Sequence, residues 1–201
     1  MKFNQTLVIF TAIFAISAYS KTLEKSRGTY KKDFNGFYLK HFDRIKIPQQ
    51  NSILKNVFRS GKPDYSNAES IKTLNDNGIK FIVNLQAEER NIAKLAKLLS
   101  DKGITLIHLP LDTSENKKVG VNDPQKTLEV LNRIEDLLST KPNDGVLVHC
   151  QRGEDRTGVF IRLLRESNGE SVASTTKDFK NYGGVLYKPL QKLYEEVKKI
   201  E

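Results

Sequence analysis

Among its 201 residues the chain has one cysteine, one methionine, six prolines and no tryptophan. A lone cysteine excludes an internal disulfide, so stability rests on apolar burial, for which a chain of this length has room in a single domain. No internal repeat, low-complexity tract or second domain interrupts the pattern. Acidic residues are the scarcer charge: 33 Lys and Arg stand against 24 Asp and Glu, a formal net charge of +9 at pH 7. Such a surface steers polyanions toward it. Basic residues do not alternate with aromatics and no nucleic-acid motif appears, so nucleic acid is not the expected partner. Lys31 with Lys32, and Lys117 with Lys118, read as solvated surface.

A hydrophobic run long enough to span a membrane is also missing. Residues 7–18 are apolar but fall short of the roughly 20 residues a spanning helix needs. Lys2 precedes them and Ala18-Tyr19-Ser20 follows as a small-x-small cleavage site, so residues 1–20 read as an export signal. The expected mature protein is periplasmic or secreted with no stable membrane span; a retained N-terminal anchor is the alternative. No cysteine stands directly after Ser20, which argues against lipid attachment there. Residues 21–50 are basic with scattered aromatics (Tyr30, Phe34, Phe37, Tyr38, Phe42) and read as an arm, leaving residues 51–201 as the folded domain.

Within that domain, short apolar runs predict strands near residues 53–59, 80–85, 104–109 and 146–149. Helical periodicity predicts helices over 67–77, 88–102, 124–139, 156–167, 172–182 and 189–200, with Gly78, Gly103 and Asn168-Gly169 as stops. Alternating strands and helices predict a single α/β domain, a central sheet of about four or five strands with helices on both faces.

The one cysteine lies in Val148-His149-Cys150-Gln151-Arg152-Gly153-Glu154-Asp155-Arg156-Thr157-Gly158. Strand residues lead in and a helical pattern leads out. A strand, a tight loop and a helix N-terminus gather backbone N–H groups around an anion. A buried structural cysteine needs no such polar setting. An ordinary thiol is mostly protonated at neutral pH, but the loop amides, the helix N-terminus and Arg156 all favour a thiolate at Cys150. Arg156 has the planar fork that grips two phosphate oxygens. Thr157 is placed to donate its hydroxyl to the sulfur, and His149 reads as a brace for the loop rather than a catalytic acid or base. Gly153 suits the tight loop and Gly158 a close helix start.

Cysteine, five residues, arginine and threonine, preceded by histidine, resembles the signature of the protein tyrosine phosphatase superfamily, especially its dual-specificity branch. Arg59-Ser60-Gly61-Lys62-Pro63, the strand over residues 79–85 and Ile107-His108-Leu109-Pro110-Leu111-Asp112 follow in a similar order. Together they resemble bacterial dual-specificity-like phosphatases and the cysteine-dependent phytases, over roughly residues 50–185. The resemblance implies that Cys150 attacks phosphorus to form a phosphocysteine, that Arg156 stabilises the transferring group, and that no metal or other cofactor is needed. Gln151, Arg152, Gly153, Glu154, Asp155 and Thr157 are then the expected substrate-binding residues of the loop.

The resemblance also implies an aspartate on a separate loop that protonates the leaving oxygen. Asp112, Glu115 and Asp123 are the candidates; Asp112 is favoured because it follows an extended stretch, whereas Asp123 before Pro124 reads as a helix N-cap. Arg59 and Lys62 either face the substrate or belong to a turn after the first strand. The expected partner is an anionic phosphorylated substrate. Positive charge, export and likeness to phytases favour an inositol polyphosphate, with a phosphotyrosyl peptide as runner-up. A rhodanese-like sulfurtransferase and a catalytically dead phosphate-binding module are the more distant alternatives.

Overall fold

The computed structural model describes residues 42–45, 53–114 and 121–200. The expectations for residues 1–20, for most of the arm and for Glu115 lie outside the described residues. Among those described, five strands form one sheet in the order β1-β2-β5-β3-β4. They are β1 (Asp43–Arg44), β2 (Val57–Ser60), β3 (Ile79–Gln86), β4 (Thr105–Leu111) and β5 (Gly145–His149). β1 runs antiparallel to β2, and the other neighbouring strands are parallel. The helices are α1 (Ala68–Asp76), α2 (Ile92–Ser100), α3 (Pro124–Thr140), α4 (Asp155–Ser167), α5 (Val172–Asn181) and α6 (Lys188–Ile200).

β5 explains the layering. All its residues are buried, as a parallel strand covered on both faces requires. Val146 and Val148 enter one core with Leu131 and Ile134 of α3, Phe160 and Leu164 of α4, Phe179 of α5 and Leu193 of α6. Leu147, one residue out of phase, enters the other with Ile71 and Leu74 of α1 and Leu99 of α2. Helices therefore cover both faces, as expected. None of the described helices is long and apolar enough to cross a membrane.

Three boundaries differ from the sequence expectation. Residues 53–56 form a 3-10 turn, not strand: the apolar pair Ile53 and Leu54 splits, Leu54 buried and Ile53 exposed. The helix expected from residue 88 starts at Ile92, because Asn91 adopts left-handed backbone (φ 60°), which a continuing right-handed helix excludes. The arm is not wholly outside the domain. Asp43 and Arg44 pair with Arg59 and Phe58 as the sheet edge, and Ile45 is buried in the core.

Candidate active site

β5 ends at His149 and α4 begins at Asp155, so Cys150 to Glu154 form the loop between them, at the carboxyl end of a central parallel strand. The Gly153 N–H donates to Cys150 Sγ at 3.2 Å. Gly153 has φ 76°, and a Cβ there would lie 2.5 Å from the carbonyl carbon of Ser60. Only glycine combines that backbone with that approach. Gly153→Ala is therefore expected to destabilise the fold by roughly 3 kcal/mol and lower the melting midpoint by about 10 °C. A midpoint within about 2 °C of wild type in thermal denaturation would contradict this packing.

The Gly153 carbonyl accepts from Arg59 Nη2 at 2.7 Å. Arg59 is 1% exposed, and its guanidinium lies 3.6 Å from the centre of the Tyr182 ring, whose hydroxyl donates to Asp43. Burial pulls its pKa below the ordinary arginine value, with Tyr182, Asp178 and Cys150 opposing that shift. Arg59 is thus a prop under the loop. It does not line the cavity that holds Arg156 and Asp112.

His149 braces the loop from the other side. Tyr65 donates its hydroxyl to His149 Nε2 (2.6 Å), and Nδ1 donates to the Cys150 carbonyl (3.3 Å). Both partners suit a neutral ring, and complete burial pushes His149 down to about 3. The ring is therefore neutral near neutral pH, its one N–H engaged with the Cys150 carbonyl.

Arg156, in the first turn of α4, reaches the Leu111 carbonyl with Nη1 at 3.4 Å. Asp112 follows immediately, and with Gln86, Ser114, Gln151 and Arg156 it lines a cavity of about 450 Å³. Loop arginine and candidate acid therefore share one space. Partial burial pushes the Asp112 carboxyl up, but hydrogen bonds from the Ser114 hydroxyl and amide, together with nearby Arg156, outweigh it and leave the group below the usual Asp value. Without substrate the carboxyl is ionised near neutral pH. A phosphate dianion entering beside it opposes that charge and favours uptake of a proton.

The backbone of Asp112 is held by a residue the sequence did not flag. Asn122 Oδ1 accepts from the Asp112 N–H (2.9 Å) and Asn122 Nδ2 donates to the Asp112 carbonyl (3.1 Å). Asn122 itself has φ 53°, which asparagine tolerates better than most residues. Asp123 caps α3 by accepting from the Lys126 N–H (3.1 Å), as its place before Pro124 predicts.

Other loop expectations need correction. Cys150 is 2% exposed and is not among the residues lining the cavity. The buried Thr157 Oγ1 has no hydrogen-bond partner, and the expected bond to the sulfur is not made. Asp155 accepts from the Val185 N–H (2.7 Å) and pairs with Arg152 (3.4 Å), so its carboxylate ties α4 to the chain before α6, and it does not line the cavity. Glu154 pairs with Arg152 (3.2 Å). Arg152 is thus held by the carboxylates of Glu154 and of Asp155 at the start of α4, and does not line the cavity. Of the expected substrate-binding side chains, Gln151 alone does.

A thiol beside an inward-turned amide, at a strand end that leads into an arginine-bearing helix, defines this protein as a cysteine-type phosphatase. The family model described as "Tyrosine phosphatase family" matches residues 47–196, and the chain belongs to that family. It is a hydrolase of phosphate esters. Among curated relatives, inositol diphosphatase DSP3 of Arabidopsis thaliana is 25% identical over 150 residues, covering 73% of this chain and 68% of that protein. The core catalytic domain of the PP-IP phosphatase SIW14 from S. cerevisiae, solved with citrate, superposes with a TM-score of 0.52 at 22% identity, over 72% of this chain and 85% of that one. TpbA of P. aeruginosa, solved as a variant with pTyr, gives 0.53 at 17% identity, over 80% of this chain and 96% of that one. At these identities the two structures establish the shared fold.

Proposed function

We propose that this protein hydrolyses phosphate monoesters of inositol polyphosphates through a phosphocysteine at Cys150. The observation that carries the chemistry is the Gly153 N–H on Cys150 Sγ in a loop whose far end bears Arg156. Cys150 attacks phosphorus in line; the P–O bond breaks, and the leaving oxygen takes its proton from Asp112. Water then attacks the phosphocysteine, giving its proton back to Asp112 and releasing inorganic phosphate and the thiolate. Arg156 and the loop amides hold the equatorial oxygens throughout.

For the substrate, support comes from the net charge of +9 and from relatives named as inositol diphosphatase and PP-IP phosphatase. The pTyr in TpbA is the specific observation favouring the second reading, a phosphotyrosyl peptide. Turnover of inositol hexakisphosphate, a phosphoinositide and a phosphotyrosyl peptide by the same preparation separates them. Inositol hexakisphosphate is expected to give the highest kcat/KM; clear preference for the peptide would reverse the assignment.

Asp112 has its own test. Asp112→Asn is expected to slow hydrolysis of alkyl phosphates on the order of 100-fold and of activated aryl phosphates less than about tenfold, because a good leaving group needs no proton. Equal slowing of both, or no slowing, would move the acid to Glu115, since Asp123 is engaged at the α3 cap.

A further inference from the structure

Gln151 has a second side. Besides walling the cavity that holds Asp112 and Arg156, it lines a separate groove of about 580 Å³ whose cations are Lys62, Arg90 and Lys94. We infer that this groove binds a second phosphoryl group of the substrate while the first is held by the Cys150 loop. The inference rests on the inositol polyphosphate reading, since a simple aryl phosphate has no such second group.

The charge in the groove is arranged unevenly. Lys62 Nζ is matched by Glu89 (2.8 Å), a carboxylate also contacted by Asn84, and Asp64 accepts from the Ser66 amide and hydroxyl. Arg90 and Lys94 are exposed and make no ion pair among the described residues. With Lys62 matched by Glu89, Arg90 and Lys94 are the cations left for an incoming anion, set against the one remaining carboxylate, Asp64. Both cations line the same groove, Arg90 just before the left-handed Asn91 and Lys94 in the first turn of α2. Leu95 and the 39%-exposed Leu98 supply apolar wall beside them, which strengthens charge contacts by displacing water.

The groove is tied rigidly to the reaction loop. The Lys62 N–H donates to the Gln151 carbonyl at 3.1 Å, and Gln86 Nε2 donates to Gln151 Oε1 at 2.6 Å. Gln151 is thus held from its backbone and its side chain at the boundary between the two spaces. A compact ring carrying adjacent phosphates presents a second anion at a fixed spacing from the first. A phosphotyrosine places its next anionic group along a flexible peptide and has no fixed second phosphate to present.

The test is the double variant R90Q/K94Q in the full chain, assayed on inositol hexakisphosphate and on para-nitrophenyl phosphate. The ratio of kcat/KM for the polyphosphate to that for the aryl ester is expected to fall about thirtyfold, mainly through KM, as loss of two charge-assisted contacts implies. The wild-type ratio should also drop with added salt, and the variant's should drop less. Lys94→Gln alone, an exposed single change, is expected to give an intermediate ratio. An unchanged ratio overturns the inference, and so does a selective loss on an acidic phosphotyrosyl peptide, which would make the groove a peptide site.

Failure of the substrate reading looks different. If wild type does not hydrolyse inositol hexakisphosphate, the polyphosphate is used as an inhibitor of aryl phosphate hydrolysis. A Ki raised about tenfold or more in R90Q/K94Q keeps the groove as a phosphate site and rejects only the substrate. A Ki equal to wild type, or absence of inhibition, rejects the groove.

Discussion

Cys150→Ser is expected to reduce turnover on the order of 10⁴-fold or more while the protein stays folded and still binds inorganic phosphate. The serine hydroxyl is nearly the size of the thiol but is not ionised near neutral pH, and it is a poor leaving group from phosphorus. The loop around it does not depend on sulfur. Gly153 is fixed by Arg59 (2.7 Å), Gln151 by the Lys62 amide (3.1 Å) and α4 by the Asp155 bond to Val185 (2.7 Å). The loop amides and Arg156 that hold the phosphate oxygens are untouched by the change, so phosphate affinity should hold. Steady-state rates on an aryl phosphate, with phosphate binding by calorimetry, give both readings from one preparation. Turnover within about tenfold of wild type would refute nucleophilic catalysis by Cys150. Loss of both turnover and phosphate binding would mean that the sulfur holds the loop in shape.

How much of this was legible beforehand follows from how local each signal is. Cys150, Arg156 and the strand and helix around them lie in one continuous segment, and its spacing alone implies the loop. Asp123 was legible for the same reason, as its capping bond reaches only to Lys126. Arg59 was visible as a basic residue near the site, but not its direction. β2 is buried at every position and flanked by β1 and β5, so alternation of polar and apolar residues could not reveal which face its arginine takes. Asn122 gave no signal, because its partner Asp112 is ten residues away across a loop closed only in three dimensions. Likewise Asn91 is a good residue for left-handed backbone, yet its neighbours Glu88 to Lys102 keep a helical pattern that hides the late start of α2. Local chemistry was readable; contacts made by closing the chain were not.

Arg156→Lys is the second large effect, on the order of 10³-fold in kcat with KM within about fivefold of wild type. An ammonium still attracts a phosphate in the ground state, so binding survives. It cannot span two equatorial oxygens as they flatten in the transition state, and stabilisation at that stage is what raises kcat. The geometry adds a second loss. Arg156 Nη1 reaches the Leu111 carbonyl (3.4 Å), the residue before Asp112, so the same side chain that grips phosphate also ties the acid's loop to the site. A lysine placing its ammonium on phosphate gives up that tie. Charge alone separates the two contributions: Lys keeps the positive charge that helps hold Asp112 below the usual range, and Met removes it. Arg156→Met should therefore move the limb of the kcat/KM profile that reports Asp112 to higher pH, in the direction of an ordinary carboxyl, whereas Arg156→Lys should lower the profile without moving that limb. If both variants fall by the same factor and neither shifts the limb, Arg156 acts only on the phosphate. A near-wild-type rate in Arg156→Lys would remove the bidentate grip from the mechanism, since a single point charge would then suffice.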